Sequence, residues 1–355
     1  MKKISLIAIS IITFFTITSV SVLAGKKDYE MCCYSVGSLE YVWSAQHSQL
    51  VNKYSKTMRV TPAFCGAETA SVKMLGLGRT DFAEVSHLEL ELAKRGIDRF
   101  QKYGKKSKEI FYDKIAIVYS MPYGAGYFTA LADSPMNDLN DVKGKKVSLS
   151  SAACTLVTIC RDVLDVHGLK EGEDYTAVHF SCGSGHAPEA LADRTIDMFE
   201  CNNPGRQPSV ENLATMNKIK RIPFAPGKLD EFFAHMDKKY GAGNHGLYRM
   251  TLPADLYGKN DKTGKEVETF AYDLMIATRR DMPEDVVYEY TKLLFDNMNE
   301  FYEIGAYSDL ITLDKAVKNL KAGIPLHPGA ARYYYEKGVL PKDRYKDLPE
   351  SIRPK

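Results

Sequence analysis

The sequence predicts an α/β protein of two lobes built on largely parallel sheets. Three observations carry that expectation. Short apolar strands alternate with helix-periodic segments, the pattern of βαβ units. The stretch from Gly25 to Lys355 is long enough for two domains at about 150 residues each. The unit of strand, small-residue loop and helix occurs in two separate stretches.

The first stretch reads as strand Glu30 to Tyr34, helix Trp43 to Tyr54, strand Arg59 to Phe64, helix Thr69 to Leu77 and strand Thr80 to Val85. The second begins with strand Lys146 to Ser150 and helix Thr155 to His167, where Gly168 suits the position after a helix C-terminus. Strand Tyr175 to Ser181, helix Pro188 to Asp193 and strand Ile196 to Glu200 follow, Pro188 fitting a first turn. Strands Tyr127 to Ala132 and Tyr272 to Thr278 each lead into a polar Pro-containing turn, and the second into a helix from Glu284 to Phe301. They read as the two crossings between lobes. The expected division is residues 25–122 with about 216–269 as lobe I, 123–215 with about 270–340 as lobe II, and a polar surface tail over 341–355.

The N-terminus reads as an export leader, with Lys2 and Lys3, an apolar run from Ile4 to Val22, and small residues at Val22-Leu-Ala24 for cleavage before Gly25. Localisation is then periplasmic. Apolar content of 45% and charged content of 26% are those of a globular protein. The formal charge of +2 comes from Lys2 and Lys3, so the exported chain is neutral. Neutrality argues against nucleic acid or an anionic membrane as partner. Beyond the leader no run is long enough to span a bilayer.

In a parallel sheet, the strand-to-helix loops lie at the carboxyl ends of the strands, and the helices aim free N–H groups and positive dipole ends at one crevice. The candidate loops are Ser35 to Tyr41, Cys65 to Glu68, Ser86-His87, Ser150 to Thr155, Gly183 to His186 and Cys201 to Arg206. Several such loops facing one cleft suit a small anion such as a carboxylate; singly, each is an ordinary α/β connection. Catalytic signatures are weak. Cys33-Tyr-Ser-Val-Gly37 approaches a nucleophile elbow, but Cys33 stands where the tight turn needs glycine. Cys182 precedes His186 by one helical turn, a spacing open to a metal reading but more usual for structural cysteine in an exported chain. The expectation is a binding protein without cofactor or metal, not an enzyme.

Two C-terminal stretches carry a family resemblance: Arg279-Arg-Asp-Met-Pro-Glu-Asp-Val-Val-Tyr-Glu-Tyr-Thr-Lys-Leu-Leu-Phe295, and Gly323 to Tyr335, read Gly-Ile-Pro-Leu-His-Pro-Gly-Ala-Ala-Arg-Tyr-Tyr-Tyr. Gly144-Lys-Lys-Val-Ser148, Ala190 to Phe199 and Arg221-Ile-Pro-Phe224 support it. From about Tyr29 to Gly338 the chain resembles the TAXI group of substrate-binding proteins of tripartite ATP-independent periplasmic (TRAP) transporters. The resemblance implies a type II periplasmic-binding-protein fold, with a ligand cleft between the lobes, a glutamate- or dicarboxylate-like solute, and a TRAP-type membrane permease as partner. The loops depart from the family pattern. Tyr34-Ser-Val-Gly-Ser-Leu-Glu-Tyr41, Phe64-Cys-Gly-Ala67 and Ser150-Ser-Ala-Ala-Cys-Thr155 replace glycine-rich loops, so the scaffold matches better than the pocket.

The candidate ligand residues are Ser35, Ser38, Tyr41, Gly66, Ser86, His87, Ser150, Ser151, Cys154, Thr155, Asn203 and Arg206. The hydroxyls either donate to a carboxylate or cap helices. Arg206 either holds a carboxylate through its fork or lies on the surface. His87 is either structural or a cleft residue, and His327 reads as a structural turn. All seven cysteines lie beyond the leader, so an odd one remains. Cys32 and Cys33 point to opposite faces of a strand; the expected bridges are Cys33–Cys65 and Cys154–Cys182. A ligand-binding sensor and an exported hydrolase acting through Ser35 are the rival functions.

Overall fold

The structure, a computed structural model, describes residues 25–354 except 35–37, 153, 184, 204–205, 301–310, 319 and 321–322. The leader and Ser35 thus lie outside the described residues. The strands are β1 (Lys27–Cys33), β2 (Met58–Phe64), β3 (Phe82–Ser86), β4 (Ile115–Leu131), β5 (Lys146–Ser148), β6 (Thr176–Val178), β7 (Met198–Asn203), β8 (Ile219–Ile222), β9 (Leu247–Leu252) and β10 (Val267–Arg279). The helices are α1 (Leu39–Tyr54), α2 (Glu68–Gly76), α3 (His87–Arg95), α4 (Lys106–Ile110), α5 (Thr155–Val166), α6 (His186–Ala192), α7 (Pro208–Met216), α8 (Lys228–Tyr240), α9 (Glu284–Asp296), α10 (Lys315–Lys318) and α11 (Pro328–Glu336).

The strands join in the order β2-β1-β3-β10-β4-β7-β5-β6, with β8 added to β4 and β9 to β10. The βαβ stretches give the parallel pairs β1–β2, β1–β3, β5–β6 and β5–β7. The long strands β4 and β10 run antiparallel to each other through the middle. Each serves both lobes. β10 pairs with β3 through Leu274–Thr278 and with β9 through Val267–Tyr272. β4 pairs with β7 and β8 over Ala125–Leu131.

That register corrects the expected division. The stretch 216–269 belongs with the second lobe, because β8 and β9 extend that half of the long strands. The chain after β10 returns to the first lobe: Tyr290 of α9 stacks on Phe82 of β3 with ring centroids 4.4 Å apart, and Tyr334 of α11 donates to the Val118 carbonyl at 3.0 Å. The surface tail is anchored at two points. Arg344 is 2% exposed and donates to the carbonyls of Ile324 (2.6 Å) and Leu320 (2.9 Å), with Leu348 buried beside this turn. A polar sequence reads as surface, but a guanidinium with several carbonyl acceptors can be buried.

Local chemistry sets the loops that face the other lobe. Ser38 caps α1 by accepting from the Tyr41 N–H at 3.2 Å, and Ser86 caps α3 by accepting from Glu89 N–H at 3.3 Å. At Gly124 a side chain would start 2.4 Å from the Asn203 carbonyl carbon, so glycine lets β4 and the end of β7 come together there.

Candidate functional site

A cavity of about 90 Å³ lies where the loops of the two lobes meet. From the first lobe come Tyr34 at the end of β1, Ser38 and Glu40 at the start of α1, and Gly66, Ala67 and Glu68 between β2 and α2. From the second come Ser150, Ser151 and Cys154 between β5 and α5, Ser181 to Gly183 beyond β6, and Asn202, Asn203 and Gln207 at the end of β7. Tyr272 reaches it from β10, next to the point where that strand changes lobes. Gly66 and Ser150 both hold positive φ, +111° and +77°. Glycine adopts that region freely, whereas at Ser150 it is a strained conformation held by its surroundings.

Of the residues singled out from sequence, Ser38, Gly66, Ser150, Ser151, Cys154 and Asn203 line this cavity. The others do not. Tyr41 supplies its N–H to the α1 cap, Ser86 is committed to the α3 cap, and His87 is buried against Gly246. Thr155 is buried behind the wall. Arg206, the expected carboxylate partner, has its side chain 53% exposed and pairs with Glu211 at 3.3 Å on α7. The helix that follows it offers a carboxylate five residues along, and solvent screening makes that exposed pairing weak.

Sequence reasoning missed Tyr34, Glu40, Glu68, Gln207 and Tyr272 as site residues. The Cys65–Glu68 loop was selected, but a glutamate in a first helical turn reads as ordinary dipole compensation. What Glu68 does is visible only in three dimensions. It is 1% exposed, and its Oε2 accepts from the Thr155 N–H of the other lobe at 3.0 Å, with the Cys154 thiol 4.0 Å away. Thr155 Oγ1 donates to Glu89 Oε2 at 2.5 Å, and Arg99 donates to the Cys154 carbonyl at 2.7 Å while lying 3.9 Å from Glu89. Thr158 adds a bond to Asp98 at 2.9 Å. The first lobe therefore grips the N-terminal turns of α5, and the lobes are closed on one another.

Burial raises the Glu68 carboxyl to about 7, helped by the neighbouring Glu89 charge and opposed by the Thr155 bonds and Arg99. Burial likewise raises Glu89 and, well above the usual range, Glu84, which accepts from Ser44 at 2.9 Å. The Cys154 thiol is held well above its ordinary value by burial and by Glu68, so it is not a reactive thiolate.

The disulfides differ from those expected. Cys32 pairs with Cys65, and Cys182 with Cys201, at Cα separations of 5.7 and 5.5 Å. Cys33, Cys154 and Cys160 are free thiols. The strand register explains the first difference. Cys32 lies opposite Ala83, on the face where Ser71 of α2 sits 3.5 Å away, and Cys65 arrives there from the end of β2. Cys33 falls on the opposite face, where burial and the Glu84 charge push its thiol up to about 12. In the second lobe Cys182 turns toward β7 while Cys154 faces Glu68. Each bridge fastens a cavity-lining loop to a neighbouring strand end, one in each lobe. Among the described residues no group of three or more His, Cys, Asp or Glu side chains could hold a metal ion.

Over residues 34–338 the chain matches the family described as the NMT1-like family. Among solved structures it is similar to the periplasmic aliphatic sulphonate-binding protein SsuA of Escherichia coli, at 13% identity, 92% of this chain, 94% of that one and a TM-score of 0.45. It is similar to the alkanesulfonate-binding SsuA of Xanthomonas axonopodis bound to MOPS, at 15% identity, 90% and 96% coverage and a TM-score of 0.45. A TRAP periplasmic solute-binding protein of Shewanella oneidensis with bound succinate matches at 14% identity, 92% and 97% coverage and a TM-score of 0.45.

Proposed function

This chain belongs to the NMT1-like family, and from that premise we propose that it is an extracytoplasmic solute-binding receptor whose lobes close on a small polar molecule. The observation that carries the reading is the cavity itself. Loops from both lobes line it, and beside it Thr155 at the start of α5 donates to Glu68 and Glu89 while Arg99 donates to the Cys154 carbonyl, joining the lobes. A solute that contacts both walls prefers the closed form and shifts the equilibrium toward it. Such a cycle needs no covalent chemistry. Export to the periplasm and delivery to a TRAP-type permease are the setting that the leader and the TAXI resemblance support. No helix among the described residues is long and apolar enough to cross a membrane.

The test is thermal unfolding of dialysed protein against dicarboxylates, sugar acids, amino acids, amines and an extract of cellular small molecules. A true solute at about 100 times its Kd adds about 2.7 kcal/mol. With an unfolding entropy of about 2.1 cal/mol/K per residue, that is a rise of about 4 °C. Ser151→Phe, which fills the cavity from a partly exposed position, is expected to cancel the rise. No shift with any pure solute or with the extract would sink the receptor reading.

A further inference from the structure

The charges around the cavity are of the wrong sign for a dicarboxylate. Among the described residues that line it there is no lysine, arginine or histidine, but there are two glutamates, Glu40 and Glu68. The remaining polar groups are hydroxyls, amides, two tyrosines and the Cys154 thiol.

The one ready-made anion position is already taken. α5 is a twelve-residue helix whose N-terminus opens on the cavity, and its cap residue, Cys154, supplies no side-chain hydrogen bond. Free N–H groups at such an end attract an anion. Here the anion is Glu68, reaching over from the other lobe to accept from the Thr155 N–H at 3.0 Å. A carboxylate solute would have to displace it, and the displaced charge would have no cation among the cavity walls to receive it.

Glu68 itself is aimed at a ligand. Both hydrogen bonds it accepts fall on Oε2, and among the described residues none falls on Oε1. The residue is 1% exposed and lines the cavity, so Oε1 is an acceptor at the cavity wall to which no described residue donates. An acceptor without a protein donor is left for water or a solute to satisfy. An ammonium group supplies three donors, with the matching charge. Tyr34 and Tyr272 also line the cavity.

We propose that the cleft takes a compact polar solute bearing a protonated amine, with Glu68 Oε1 as its charge partner and Glu40 beside it, instead of an anionic solute. The proposal rests on the receptor reading above and deepens it. The cavity of about 90 Å³ suits a small solute.

The test is calorimetric titration of the purified protein with three probes of one frame: serinol (2-aminopropane-1,3-diol), glycerol, and serine. They differ in carrying an ammonium, no charge, and an ammonium with a carboxylate. Succinate is the dianion control. Serinol is expected to bind most tightly, and Glu68→Gln to weaken it about tenfold or more, the share of one charge-assisted hydrogen bond, while glycerol changes less than about twofold. A single cooperative melting transition of Glu68→Gln shows that the variant folds. Tighter binding of succinate, or of serine over serinol, overturns the charge assignment and leaves the receptor reading standing. Equal loss of serinol and glycerol in Glu68→Gln also overturns it, since the residue would then shape the cavity and not select charge. If no probe binds while another solute of the wider panel does, the charge assignment falls alone unless that solute is an amine.

Discussion

Glu68→Gln has a second consequence, in the pH dependence of folding. The folded Glu68 carboxyl sits at about 7, against an ordinary value of 4.5. As pH rises above 4.5 the unfolded chain loses this proton while the folded chain keeps it. Stability therefore falls between about 4.5 and 7 and levels off above 7. Integrated between pH 5 and pH 8, the loss is about 2.5 kcal/mol at 1.36 kcal/mol per pKa unit. Glutamine cannot ionise, yet its amide oxygen still accepts the Thr155 N–H, so the variant escapes this loss. The other buried groups, including His47 at about 3 and His327 at about 4, are common to both proteins and cancel in the difference. The assay is urea unfolding of both proteins at pH 5 and pH 8. The variant is expected to gain about 2.5 kcal/mol on the parent between the two, or about 3–4 °C in melting temperature. A difference between the proteins that stays flat with pH would refute the account of Glu68 as a buried acid that titrates near neutrality when folded.

Alkylation of the denatured, unreduced protein is expected to label three thiols, Cys33, Cys154 and Cys160, and after reduction all seven cysteines; five or more labels before reduction would remove one of the bridges. Cys32→Ser with Cys65→Ser is expected to cost about 3.7 kcal/mol, and Cys182→Ser with Cys201→Ser about 3.2 kcal/mol, from loop-closure entropy over separations of 33 and 19 residues; denaturant melts decide it. Glu200 is fully buried with neither carboxyl oxygen hydrogen-bonded, and burial holds it protonated, so Glu200→Met is expected to stabilise by about 1–3 kcal/mol. A loss of stability in that variant would show that the carboxyl has a structural partner. Arg344→Ala is expected to cost about 3 kcal/mol by orphaning the Ile324 and Leu320 carbonyls; an unchanged midpoint would show that these bonds do not anchor the tail.

Alternation of strands and helices was enough to place the βαβ units, because periods of 2 and 3.6 are properties of local sequence. The start of α5 at Thr155 and the position of Gly168 beyond it could be read directly. So could the loops. The stretches around Gly66, Ser150 and Asn203 all reach the cavity, because strand-to-helix loops in such a sheet share one edge. The assignment of 216–269 to a lobe could not be read, because it depends on how far β10 pairs with β9 before it turns to β3.

Charge at the site belongs to the same class. Arg206 and Glu68 are each an ordinary residue in a candidate loop, and sequence favoured the arginine as the binding group. Side-chain direction reversed that choice. Arg206 turns outward to Glu211, five residues along the chain, while Glu68 turns inward to a helix end contributed by the other lobe. The cysteines divide likewise. Opposite faces for Cys32 and Cys33 followed from the pleat, but which face met Cys65 was settled by where β2 ends and α2 packs. Local periodicity determines which residues form each element and each loop, since those preferences act within a few residues. Which side chains meet across the cleft is set by contacts between residues 55 to 87 positions apart, and only the packed tertiary structure decides them.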